Sequence, residues 1–461
     1  MSTDDINWRR WCESTETLLG TVNDEYCEPS SISVVMEELR RGNENAYIPK
    51  VVSIGPRYKG RRELLPMEEI KLRCMLSLLH RARETRKSLI ECMKGLLDLD
   101  AAVRASYVEE IKLDRYELAT IMLHDGCFLL EVLISESNLL NEQLRSNFPS
   151  TEGAEVGKIE AVLTDLTLLE NQIPLFIIHE LFSKIFGITS SDSNIHKRVA
   201  KTVVDMAVCL FGYPRGSTIN DSPTLDLLDL HASAHILELA HLSFIKQSKK
   251  LQIEFEPKQE NLQIEQARPG VQHRSELKQT LNRCATRLLA AGFKLRPIEI
   301  DNRQNIGSSF QSGIKFIKTT LVLHIPALYI TPTTEIEWRN FIAWEHHIYN
   351  QNQSSIVQER HLKNRNNSSI AEEPCCCIFT LLAILFNDLI CCANDMLRNK
   401  LGNTLSRIIV SLYPKNGRNH FQPWQILKTW LQLCSYTVNS AHCGPDNLYS
   451  PQLSLSQMRV L

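Results

Sequence analysis

The chain has 461 residues, 43% hydrophobic and 23% charged, the composition of a folded globular protein and not of a disordered one. Its 51 lysines and arginines against 53 acidic residues leave a formal net charge of −2, which argues against a surface built to grip nucleic-acid phosphates. Fourteen cysteines, some clumped at 375–377 and 391–392, make no even disulfide framework and read as reduced, mostly buried thiols.

Residues 1–31 form an amino-terminal extension. It is acidic, carries Trp8 and Trp11, and has no apolar stretch of signal-peptide length, so the chain is expected to begin in the cytosol. On that expectation the sequons at Asn220, Asn352, Asn366 and Asn367 carry no glycan. Next comes a basic turn, GPRYKGRREL, in which Arg57, Lys59, Arg61 and Arg62 surround Tyr58. Such a turn can hold a phosphate or an acidic lipid head group. Exposed basic residues are also ordinary turn composition, and that plain reading is preferred.

Helical periodicity then dominates, and the fold class is mainly α. Ile70, Leu72, Met75, Leu76, Leu78 and Leu79 recur at helical spacing within 68–99, and residues 116–133 read the same way. Residues 153–159, GAEVGKI, resemble a phosphate loop only superficially. The glycines are one residue too close, and Ile159 stands where a magnesium-binding hydroxyl is needed.

Residues 162–182, VLTDLTLLENQIPLFIIHELF, place Glu170, Asn171 and Gln172 inside an apolar run and follow them with Pro174. Proline has no backbone N–H and pushes the preceding residue out of helical geometry. A helix break is expected here, with Pro174 in the first turn of a new helix. Asn171 and Gln172 would satisfy the freed backbone groups while Leu168, Leu169, Leu175 and Phe176 pack inward.

A helix over 225–245, entered from the turn-rich 212–223, would set His231, His235 and Glu238 on one face at i, i+4 and i+7. Two imidazoles and a carboxylate so spaced can converge on a metal ion. Ala232, however, stands where a zinc-peptidase helix needs its glutamate. A partly exposed polar face is the plainer reading.

Residues 246–273 are a charged, glutamine-rich linker, and 275–291 form another helix. Residues 313–330 are β-branched and aromatic, and predict two short strands joined near 318–320, the second cut short by Pro326. Residues 350–371 are polar and of low complexity, which predicts a loop. Residues 375–393, CCCIFTLLAILFNDLICCA, are apolar for 12 residues before Asn387 and Asp388 interrupt them. A membrane span needs roughly 20 such residues, so a buried core helix is expected. The sequence holds no solenoid-period repeat and no Gly-x-Ser-x-Gly elbow. No catalytic, cofactor-binding or metal-binding residue is assigned, and no cofactor is implied.

Several blocks together resemble the plant-specific domain-of-unknown-function 247 family. They are AYIPKVVSIGPRYKG with LLPMEEIKLRCM (46–75), YVEEIKLDRYELATIMLHDGCFLLEVL (107–133), LLENQIPLF (168–176), and CATRLLAAGFKL (284–295) leading to WRNFIAWEH (338–346). The chain departs from the family's pattern at Arg57-Tyr58-Lys59, where a histidine-bearing segment is usual. The pattern also fades beyond Asp395. The resemblance divides the chain into the extension 1–31, a helical domain 32–395 and a diverged tail 396–461. It implies a plant protein with protein partners, and frequent plasma-membrane attachment by a carboxy-terminal helix. Some members of the family are connected with recognition and stress responses. The resulting expectation is a non-enzymatic interaction or signalling protein, cytoplasmic or on the cytoplasmic face of the plasma membrane. The alternative is a metal- or phosphate-dependent enzyme using His231, His235 and Glu238.

Overall fold

In the computed structural model the described residues are 30–41, 43–81, 85–137, 156–188, 193–212, 234–248, 285–297, 315–317, 320–325, 328–330 and 333–362. Short pieces at 379–380, 382–383 and 409–411 complete them. They are mainly helical: α1 (Glu37–Arg40), α2 (Pro66–Arg81), α3 (Thr85–Asp98), α4 (Asp100–Ala105), α5 (Arg115–Glu136), α6 (Val156–Asp165), α7 (Leu175–Ile185), α8 (Ser193–Phe211), α9 (Ile236–Ser248), α10 (Ala285–Ala290) and α11 (Thr334–Leu362). The periodic run 68–99 is thus two helices, α2 and α3, which pack side by side.

The core is organised around α5. Asp114 starts it with a capping box: its carboxylate accepts from the N–H of Tyr116 and Glu117, and Glu117 accepts from the N–H of Asp114. This arrangement satisfies N–H groups that a helix start leaves orphaned. Beyond the first turn apolar side chains predominate on all sides, from Leu118 to Ile134, with Asp125 the one buried charge, and α2, α3, α7 and α8 surround them. A helix apolar all round must be buried. Among the described residues α5 is the one helix long and apolar enough to cross a membrane, yet 72% of that window is buried inside the protein. Gly126 sets how closely α7 approaches, since a Cβ there would lie 2.4 Å from Leu181.

The second layer is α9 against α11. Trp338 and Phe341 of α11 and Phe244 of α9 close around Phe379, which is fully buried. Thr380, Leu382 and Ala383 are buried with it. The described part of 375–393 therefore packs in the helical body, as a core helix requires.

The two strands expected in 313–330 are β2 (Lys315–Ile317) and β3 (Val322–Ile325), paired antiparallel. A third strand unforeseen in the sequence, β1 (Lys294–Pro297), lies parallel to β3. A separate parallel pair joins β4 (Leu328–Ile330) to β5 (Ile409–Ser411). One expectation fails: the polar run from 350 is not a loop at its start, because α11 continues to Leu362. Length overrides composition there, as a helix already nucleated and packed extends at little cost.

Candidate functional site

Residues 50–60 lie in an extended, irregular stretch between the short 3₁₀ turns at Glu44–Ala46 and Arg62–Leu64. Val52, Ser53 and Ile54 are buried there outside any sheet. Buried backbone must find partners, and side chains from α2, α5, the end of α6 and the break after it supply them.

Asp165, at the end of α6, accepts the N–H groups of Lys50, Val51 and Val52 at 2.6–3.0 Å. Burial pushes its carboxyl pKa up, against the pull of those three N–H groups. Asn171 accepts from the Ile54 N–H at 2.7 Å and donates to the carbonyls of Val52 and Asp165. Asp125 of α5 accepts from the Gly55 N–H at 2.8 Å and pairs with the Lys71 ammonium at 2.6 Å, both side chains being fully buried. Burial raises the Asp125 carboxyl pKa, with Lys71 opposing it. Lys71 of α2 also donates to the Ser53 carbonyl at 2.6 Å and to Glu68 at 2.7 Å. Asn340 of α11 donates to the Ala46 carbonyl and accepts from the Leu169 N–H. Gly55 sits at φ +78°, and a Cβ there would come within 2.5 Å of the Gln172 carbonyl oxygen. Only glycine meets both demands.

The break before α7 occurs where expected. α6 ends at Asp165, and Pro174 precedes the first residue of α7 as its N-cap, one position earlier than predicted. Gln172 donates to the carbonyls of Leu166 and Leu168 and Asn171 to that of Asp165, so these two amides satisfy the backbone freed by the break. Glu170, buried, accepts from the Val35 N–H and the Tyr58 hydroxyl at 2.6 Å, and ion-pairs with Arg40 and with Arg57 at 3.1 Å. Burial and Glu170 together push the Tyr58 phenol up to about 12.

The basic turn is accordingly tied inward. Arg57 faces Glu170 and Glu109, Lys59 faces Glu68, and Arg61 lies 4.7 Å over the Tyr58 ring. Three of its four cations already meet carboxylates of the same chain, Arg61 pairing with Glu63 at 3.9 Å.

The histidine face divides. His231 lies outside the described residues. His235 precedes α9 and Glu238 lies in its first turn, so they do not share the continuous helix face that the spacing suggests. His235 Nδ1 accepts from the Glu238 N–H at 3.1 Å, its Nε2 meets the Ser31 carbonyl at 3.2 Å, and the Glu238 carboxylate accepts from the Ala234 N–H at 2.6 Å. This resembles a capping box with imidazole in the role of the usual hydroxyl, except that Glu238 reaches back to the N–H of Ala234, one residue before the cap. Burial pushes the imidazole pKa down to about 3. Among the described residues no group of three His, Cys, Asp or Glu side chains is placed to hold a metal ion.

Sequence reasoning missed Asp165, Lys71, Asn340 and Glu345. Glu345, buried in α11, accepts from the N–H groups of Phe379 and Thr380, from the Thr380 hydroxyl, and meets His241 at 2.9 Å. The available signal was a lone ionisable residue on an apolar face, as in FIAWEH. Such a residue is buried only if paired.

A family model described as "Plant protein of unknown function", DUF247, matches residues 32–396. UPF0481 protein At3g47200 of Arabidopsis thaliana is 35% identical over 167 residues, which are 35% of this chain and 33% of that protein. A second UPF0481 protein of the same plant, At3g02645, is 28% identical over 187 residues, 40% of this chain and 33% of that protein. The chain thus spans about a third of the length of these curated relatives. No solved structure matches it.

Proposed function

Because the chain belongs to the DUF247 family of plant proteins of unknown function, we propose that it acts by binding other proteins, as a non-enzymatic interaction or signalling component. The observation that supports this reading is where the polar residues of the signature blocks, with Asp165 just ahead of LLENQIPLF, point. Asp125, Asp165, Glu170, Asn171, Gln172 and Asn340 all direct their hydrogen-bonding atoms at groups of the same chain. Catalytic groups instead stand within reach of a substrate position. In this reading the signature fixes a scaffold, and partners are chosen on its surface.

Proximity labelling with the tagged full-length chain in plant tissue tests the proposal. A reproducible set of labelled proteins, unchanged by His235→Asn, is the expected outcome. Stoichiometric zinc, iron or manganese in the purified protein would favour the metal-dependent alternative. We place the protein in the cytoplasm or on the cytoplasmic face of the plasma membrane. Extraction by alkaline carbonate agrees with a peripheral protein, and retention in the pellet contradicts it.

A further inference from the structure

Among the described residues eight large apolar side chains stand out from the core, and six of them fall between positions 65 and 93. Leu65, immediately before α2, and Leu72 and Leu76 within it, at 49%, 43% and 52% exposure, follow one another at i, i+7 and i+11, which lines them along one side. Neighbouring α3 adds Ile90 and Met93. A concentration of this kind marks an interaction surface, whereas single exposed leucines do not.

The charges beside the stripe are ordered. On the helix itself exposed Glu69 lies in the amino-terminal half and exposed Arg73 and His80 in the carboxy-terminal half, while exposed Arg61, Arg62 and Glu63 precede α2. Glu69 and Arg73 are 72% and 74% exposed and form an i, i+4 pair at 2.5 Å. A helix face that runs from acidic to basic is complementary to itself when turned round.

We propose that this face joins two copies of the chain about a two-fold axis, with α2 antiparallel to α2. An axis near residue 71 sets Leu65 against Leu76 of the second copy, and Glu69 against Arg73 of the second copy. Each contact occurs twice, as an isologous interface demands. Charge pairs at the rim fix the register while the leucines supply the buried area. The inference is independent of whether the protein signals.

Sedimentation equilibrium on the full-length chain tests it. The expected mass is twice that of one chain, falling to one chain on dilution. The double variant Leu72→Glu/Leu76→Glu should weaken association at least about tenfold and melt like the wild-type chain diluted to monomer, since both side chains are exposed. E69R and R73E should each be monomeric, and a 1:1 mixture of the two should recover the doubled mass, because only the mixed pair restores both contacts. Four results overturn the proposal: a monomer at every concentration, a dimer indifferent to Leu72→Glu/Leu76→Glu, a mixture that stays monomeric, or a monomeric double variant that melts lower than the wild-type chain diluted to monomer. The last would mean that the chain covers this face itself.

Discussion

Residues 165–174 and residues 234–238 both concentrate polar groups beside apolar sequence, and both end as devices that satisfy backbone. They differ in reach. Asp165 and Asn171 hold N–H groups more than 110 positions away, whereas His235 and Glu238 cap a helix within four residues. A local cap that fails frays one turn. A long-range junction that fails strands several buried donors at once and detaches a segment on which three helices and the break after α6 converge. The same residue types thus carry very different structural weight according to how far apart in the chain their partners lie.

The largest test of that difference is the buried pair. Lys71→Met leaves Asp125 charged and unpaired, and should cost about 3–5 kcal/mol in urea unfolding. The double change Lys71→Met/Asp125→Leu should cost less than the sum of the two single changes, because it removes the orphaned charge. Gly55→Ala should cost about 2–3 kcal/mol, from the left-handed backbone together with the clash on the Gln172 carbonyl. Equal stability of that variant would show that residues 50–60 can move away from the polar junction.

The local side should give smaller effects. His235 stays neutral in the fold down to about pH 3, while in the unfolded chain it takes up a proton below about 6.5. Between those values the unfolded state binds the extra proton, so stability falls as pH falls. His235→Asn keeps a capping acceptor and removes the titration. It should flatten the acid side of the stability curve by about 1.4 kcal/mol per pH unit within that window. Asp114→Ala, which breaks the α5 capping box, should cost about 1 kcal/mol and serves as the purely local reference.

Much of this architecture was legible in the residues. Pro174 forced the break, Asn171 and Gln172 were suited to mend it, and alternating β-branched residues gave β2 and β3. The partners were not legible. Nothing in one sequence says that Asp165 reaches Lys50 or that Asn340 reaches Leu169, because hydrogen bonds across 115 and 171 positions depend on how the helices pack. The face carrying His231, His235 and Glu238 misled for a related reason. Periodicity continued through Ala234 and His235, and histidine is not among the residues that announce an N-cap.

Amide hydrogen exchange in residues 50–55 tests the central claim most directly, that the signature residues bind the chain to itself. The N–H groups of Val51, Val52, Ile54 and Gly55 belong to no helix or sheet, yet donate to Asp165, Asn171 and Asp125. They should exchange only as slowly as the core of α5, through global unfolding. Exchange at loop-like rates while α5 stays protected would contradict the account.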